Sequence, residues 1–328
     1  MSSREKTLGE WLSDPRIAFI APDAIRGRDL SEEDVWHMTL SQIREAHLFS
    51  GNIESGLRRL YAAADSGEWY YPLYSRDETA AEPARTGVNL VWFPSSEPAA
   101  DSRPFILVVP GGGFVNVWNL TEGWPITESF NRLGYHCFIL TYQVEAEEGL
   151  LLRNMEDMAR ALEMIRAHAD RFHVDPDHYM TCGFSAGGYL VCLWNTRMGY
   201  PAHHLPVPAA VFPVYPVTTL QPAVRYGSPD LETSVRLYGC SAEEAARQDF
   251  EIPEHVDGFP PCALFLAAED TLVDPENSRM LARALREKQI PCFMEIGPSG
   301  GHGFGDGTGM CMAGWTARAV QWYASLKM

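Results

Sequence analysis

Residues 178–190 read H-Y-M-T-C-G-F-S-A-G-G-Y-L. The apolar run over 179–182 reads as a short strand, and 186–198 as a helix. At their junction stands G-x-S-x-G, formed by Gly183, Phe184, Ser185, Ala186 and Gly187. As five letters the pattern is weak, because small residues recur by chance. Set between a strand and a helix it reads as a nucleophile elbow, a sharp strained turn that lifts a serine Oγ above a sheet. Side chains at the flanking positions would collide, which accounts for the glycines. The plainer reading is a glycine-rich turn without chemistry, and the rest of the chain decides between the two.

Outward from the elbow the pattern alternates. Residues 88–93, 105–109, 136–142, 179–182, 209–214, 262–268 and 292–296 read as strands. Residues 125–133, 154–172, 186–198, 276–288 and 312–326 read as helices, with Met155, Met158, Leu162, Ile165 and Ala169 spaced by threes and fours. Strands alternating with helices of this length predict an α/β fold: a mostly parallel sheet with helices on both faces. Residues 215–260 interrupt the rhythm and read as a cap-like insertion near the sheet's C-terminal edge, where ligands of open α/β sheets bind. Residues 1–80 read as an N-terminal helical extension, with a helix following Gly51-Asn52 and a weaker one over 31–48. The catalytic domain is then 81–328. A lid over the site and a dimerisation element are the two roles open to the extension.

A serine hydroxyl needs a base to become a nucleophile. His302 lies in G-P-S-G-G-H-G-F-G, in a loop after the 292–296 strand, flanked by glycines. His173 and His178 flank a turn, His203-His204 lie in a Pro-rich loop and His47 sits on a candidate helix, and each of these reads as a solvated or capping histidine. An acid should stand at a strand end between Ser185 and His302. Three carboxylates compete in L-F-L-A-A-E-D-T-L-V-D-P: Glu269, Asp270 and Asp274. Asp274 precedes Pro275 and suits a helix cap. Asp270 is favoured over Glu269, with the role of fixing the imidazole tautomer.

Residues 108–114 read V-V-P-G-G-G-F. Beside a serine nucleophile, this glycine loop at a strand end reads as an oxyanion hole, with the amides of Gly112, Gly113 and Ala186 as donors. A phosphate cradle is the competing reading, but neither G-K-[ST] nor G-x-G-x-x-G with a downstream acid is present. Phe114, Trp118, Trp124 and the aromatics at 69–71 are candidates to line a substrate site, or else to pack helices on the sheet.

The bulk properties narrow the partners. The chain has 328 residues, 46% of them apolar, and a formal net charge of −17. That surface repels phosphate backbones and anionic lipid, so nucleic acid is not expected. No apolar run is long enough to span a membrane. The seven cysteines form no C-x-x-C pair, and the first ten residues lack an apolar signal region, so a cytoplasmic setting is expected. No H-E-x-x-H is present, and neither a metal nor an organic cofactor is expected.

Several phrases together resemble the α/β-hydrolase superfamily, in particular bacterial acetyl-esterase and acetyl-xylan-esterase-like serine esterases. They are V-V-P-G-G-G-F at 108–114, E-G-W-P-I at 122–126, F-N-R-L-G-Y at 130–135, V-D-P-D-H at 174–178, G-F-S-A-G-G at 183–188, P-E-N-S at 275–278 and G-G-H-G-F-G at 300–305. The resemblance spans roughly residues 88–325. It implies a triad of Ser185, Asp270 and His302 and an oxyanion hole of Gly112, Gly113 and Ala186. It also implies Pro110 in place of the histidine of lipase-like relatives, a small acyl ester as substrate, and a sugar as one candidate alcohol. A peptidase or amidase, a feruloyl-type esterase and a non-catalytic binding protein on the same fold are the rivals.

Overall fold

A computed structural model of the chain describes residues 4–67, 69–95, 104–220 and 230–326. The described residues form one eight-stranded sheet. Its strands are β1 (Tyr70–Pro72), β2 (Asn89–Phe93), β3 (Phe105–Val109), β4 (Cys137–Thr141), β5 (Tyr179–Phe184), β6 (Ala210–Val214), β7 (Cys262–Ala267) and β8 (Cys292–Gly297). The spatial order is β1-β2-β4-β3-β5-β6-β7-β8. Strand β2 runs antiparallel to both neighbours, and every pairing from β4 to β8 is parallel.

The central strands are buried at every position, as strands covered on both faces must be. Their side chains divide by a period of two. In β3, Phe105, Leu107 and Val109 enter one core cluster, and Ile106 and Val108 the other. Helices cover both faces. The N-terminal segment supplies α1 (Leu8–Leu12), α2 (Leu40–Glu45), α3 (Ile53–Asp65) and α4 (Arg76–Ala81). Then α5 (Trp124–Asn131) follows β3, α6 (Leu150–Ala167) and α7 (Ala169–Phe172) follow β4, and α8 (Ser185–Leu193) follows β5. Helices α9 (Leu231–Tyr238) and α10 (Ala242–Ala245) lie between β6 and β7, α11 (Glu276–Glu287) follows β7, and α12 (Trp315–Ser325) follows β8.

Three expectations change. The helix expected over 31–48 is instead two 3₁₀ turns, Leu30–Glu32 and Asp34–His37, followed by α2. The cause is capping: Asp29 accepts the Ser31 amide, and Thr39 with Gln42 forms a capping box that starts a new helix. The expected 154–172 helix begins earlier, at Leu150, and breaks at His168, whose φ is −122°. Tyr70–Pro72, inside the extension expected to be helical, enters the sheet as edge strand β1, where a proline is tolerated. The sheet thus begins before residue 80. Within the 215–260 insertion, α9 and α10 are helical, and residues 221–229 lie outside the described residues.

The N-terminal segment is part of the core. Leu8, Trp11, Leu12, Ile17, Leu57 and Leu60 are buried in the same cluster as Ile106, Val108 and Ile126. Helix α3 packs closely on α5 through Gly56, where an added Cβ would lie 2.8 Å from the Pro125 nitrogen and 2.9 Å from its Cδ. Gly56→Ala tests this contact, because two effects oppose. Helix propensity alone would stabilise by about 1 kcal/mol. Forcing the helices apart costs about 1–3 kcal/mol. The clash is against ring and backbone atoms, so a net loss is expected as a lower urea midpoint. A raised midpoint would mean that the segment is only loosely docked.

Candidate active site

The site stands at the C-terminal ends of the central strands. Strand β5 ends at Phe184 and α8 starts at Ser185, whose φ is +50°. Left-handed backbone costs a non-glycine residue roughly 1–2 kcal/mol. The flanking glycines make the turn sterically feasible. A Cβ on Gly183 would lie 2.3 Å from the Gly187 carbonyl oxygen, and one on Gly187 would lie 2.1 Å from that of Val109. The elbow is therefore wedged against the end of β3, with no room for a side chain.

His302 reaches the serine from the loop after β8. Its Nε2 lies 2.9 Å from Ser185 Oγ, and its Nδ1 lies 2.7 Å from Asp270 Oδ2. A carboxylate only accepts, so Nδ1 carries the proton and Nε2 is left to accept from the serine hydroxyl. The Asp270 side chain is 1% exposed. Its other oxygen accepts the Leu272 and Val273 amides, each at 2.9 Å, which fixes the carboxylate's orientation. Of its competitors, Glu269 is exposed, and Asp274 accepts the Glu276 amide at 2.8 Å at the start of α11.

The Pro110–Phe114 loop is held from several sides. The Pro110 carbonyl accepts from Tyr142 Oη at 2.8 Å, and the Gly111 carbonyl accepts the Trp118 amide at 3.0 Å. The Gly112 carbonyl accepts the Asn116 amide at 2.9 Å, and Arg236 of α9 donates to the Phe114 carbonyl at 3.2 Å. Gly112 and Gly113 have φ of +139° and +64°. A Cβ on Gly112 would strike the Asn116 carbonyl, whereas Gly113 faces open space. Among the described residues, neither of these two amides meets a protein acceptor. The Ala186 amide is one of the unpaired donors in the first turn of α8.

These groups open into a cavity of about 720 Å³, lined by Gly112, Gly113, Phe114, Trp118, Ser185, Ala186 and His302. Phe114 and Trp118 both line this cavity. Trp124 does not. It is the first residue of α5, 1% exposed, and lies in the core cluster with Ile126 and Phe130. The aromatics at 69–71 are also structural: Trp69 packs on Phe19, and Tyr71 packs edge-on against Phe172.

Sequence reasoning missed two contributors. His47, Leu48, Phe49 and Ser50, from the loop between α2 and α3, form part of the cavity wall. Phe49 meets Trp118 edge-on at 5.7 Å, and Ser50 Oγ donates to the Gly303 carbonyl beside His302. No local signal marks this loop, because only the tertiary fold carries it to the site. The second is Glu122, on a π-helical turn at Asn119–Gly123, a form that often marks functional sites. It is buried, and burial pushes its carboxyl pKa up. Its sequence cue is its place at the head of the E-G-W-P-I phrase at 122–126, which marks the resemblance but not the role.

Among the described residues, no group of three or more His, Cys, Asp and Glu side chains is set to hold a metal ion. No helix among them is long and apolar enough to cross a membrane. The seven cysteines are all free thiols, four of them buried.

The model of the prolyl oligopeptidase family matches residues 152–326, just over half of the chain, and that of the BD-FAE family matches 92–207. Endo-1,4-beta-xylanase B of Butyrivibrio fibrisolvens is 31% identical over 225 residues, covering 65% of this chain and 34% of that protein. Acetylxylan esterase of Xylanibacter ruminicola is 26% identical over 220 residues, covering 64% and 43%. The chain thus spans about a third to under a half of the length of these two curated relatives. Among solved structures, the acetyl ester-xyloside bifunctional hydrolase of Caldicellulosiruptor lactoaceticus superposes with a TM-score of 0.65 at 24% identity, over 79% of this chain and 96% of that one. The family match over more than half of the chain makes it a member of the prolyl oligopeptidase family, and the sheet order and the elbow are those of the α/β-hydrolase fold.

Proposed function

We propose that the chain is a serine carboxylester hydrolase that cleaves small acyl esters, acetyl first, from a carbohydrate alcohol. The observation that carries this reading is the hydrogen-bonded line Ser185–His302–Asp270, at 2.9 and 2.7 Å, with the serine on a strained elbow. His302 takes the serine proton as Oγ attacks the acyl carbonyl. The developing oxyanion is held by the amides of Gly112, Gly113 and Ala186 in a site already arranged for it. The imidazolium, oriented by Asp270, protonates the departing alcohol. The same histidine then activates water to split the acyl-enzyme and free Ser185.

The substrate class rests on the relatives. One is named an acetylxylan esterase, and the structural neighbour an acetyl ester-xyloside hydrolase. Glycoside cleavage itself is not proposed, because the two carboxylates at the site, Asp270 and Glu122, each have both oxygens engaged by protein partners rather than presented as an acid–base pair. A peptidase reading is favoured by one observation, the prolyl oligopeptidase match, and the same three residues would serve amide cleavage. We assign the loop at 47–50 as the wall that meets the part of the substrate beyond the acyl group, the lid-like role among the two open to the N-terminal segment. The substrate is a small molecule, and the setting cytoplasmic.

With p-nitrophenyl acetate, the wild-type chain should show a burst of nitrophenol followed by steady turnover. Ser185→Ala and His302→Ala should lower kcat by about 10⁴-fold or more, with the fold retained. Asp270→Asn should lower it by about 10⁴-fold, while Glu269→Gln and Asp274→Asn stay near wild type. Near-normal kcat in Asp270→Asn would remove it from the assignment. Acetylated xylo-oligosaccharides, feruloyl esters and aminoacyl amides compared side by side decide between ester and amide chemistry.

Gly113→Ala separates folding from chemistry. Its Cβ meets nothing within 4 Å, so the stability cost should be the left-handed strain alone, about 1–2 kcal/mol. A methyl group beside the donor amides should nonetheless lower kcat/KM. Phe49→Ala should change kcat/KM more for acetylated oligosaccharides than for p-nitrophenyl acetate. Equal changes for both would argue against the proposed wall.

A further inference from the structure

Glu122 and Tyr215 form a buried link between the two loops that carry the chemistry. Glu122 Oε2 accepts the Gly111 amide at 2.7 Å, one residue before the proposed oxyanion donors. Its Oε1 accepts the Tyr215 hydroxyl at 2.8 Å. The same hydroxyl oxygen accepts the Gly305 amide at 3.3 Å, three residues after His302. The tyrosine ring lies 4.8 Å from the His302 ring and 4.7 Å, edge-on, from Phe304. Four distant parts of the chain thus meet in one hydrogen-bonded line: the loop after β3, the π-helical turn, the end of β6 and the loop after β8.

Core packing does not call for this arrangement. A carboxyl group taken out of water costs free energy unless its partners compensate. Here both oxygens are used, each on a different segment. Tyr215 also adopts a φ of +38°, which is strained for a bulky residue. A polar group placed at such a cost and linked to backbone amides sets position rather than supplying cohesion.

We infer that Glu122 and Tyr215 are positioning residues, which hold the Gly111–Gly113 loop and the His302–Gly305 loop in one register. This inference rests on the proposed serine-hydrolase reading. Neither side chain touches the reacting atoms in the scheme. Gly111 has its amide turned to Glu122, which leaves the next two amides to face the cavity. Phe304 and Gly305, held by the tyrosine, carry the short loop on which the imidazole rides.

The test uses the full chain and p-nitrophenyl acetate, with burst and steady-state kinetics on Tyr215→Phe, Glu122→Gln and the double variant. Tyr215→Phe keeps the ring against His302 and removes only the link. A misplacement of catalytic groups on the scale of 1 Å costs on the order of 100-fold. Each single variant should therefore lose about 10- to 100-fold in kcat, with KM changed less than about twofold. The double variant should lose no more than the worse single one, because each change breaks the same line. Losses that multiply, a raised KM at unchanged kcat, or a lower Tm with wild-type kcat in the folded fraction would each overturn the inference. Wild-type bursting with unaffected variants would sink it alone. Absence of any wild-type turnover would take the hydrolase reading and this inference down together.

Discussion

The structure turns on a contact between two pieces of backbone. Gly187, in the first turn of α8, approaches the carbonyls of Val109 and Pro110 so closely that a Cβ would lie 2.1 and 2.3 Å from them. Strands β3 and β5 are neighbours, with Val109 opposite Gly183. The chain leaving β3 and the turn leaving β5 therefore emerge side by side. One supplies a loop of unpaired amides, and the other a serine held at positive φ. A side chain at Gly187 would separate them and with them the nucleophile and its oxyanion donors.

Around this contact the remaining groups are placed by the sheet's order. Strands β7 and β8 lie further along the same sheet and deliver Asp270 and His302 from their C-terminal ends. The acid is locked by two backbone amides, the imidazole by the acid, and the serine by the imidazole. Each member is oriented by a hydrogen bond to the one behind it, ending on backbone, so little reorganisation remains for the reaction step. The N-terminal segment completes one side of the cavity because its core is continuous with that of the sheet, not appended to it.

Much of this was legible in the sequence, for identifiable reasons. Ser185, Asp270 and His302 each follow a strand in chain order, and parallel sheets bring strand ends to one edge. The three glycines at 111–113 became readable as an oxyanion loop only beside Ser185, since alone they also suit a phosphate cradle. Trp124 was open to two readings, site wall or helix packing, and the helix phase of α5 turns it into the core. The 31–48 segment misled because polar caps at Asp29 and Thr39 cut its apolar spacing into short turns. The loop at 47–50 and the Glu122–Tyr215 link were illegible, since both exist only through contacts between residues far apart in sequence. Pro110, a proline where lipase-like relatives have histidine, has a structural place. It needs no amide donor there, and its carbonyl is taken by Tyr142.

In the proposed mechanism Ser185 becomes covalently acylated. The most direct measurement is intact-protein and peptide mass spectrometry after reaction with a fluorophosphonate and, in separate quenched samples, with p-nitrophenyl acetate. One adduct per chain is expected, on the peptide carrying Ser185, absent from Ser185→Ala and strongly reduced in His302→Ala. A folded, wild-type protein that forms no adduct, or one that is modified at another residue while Ser185 stays free, would contradict it.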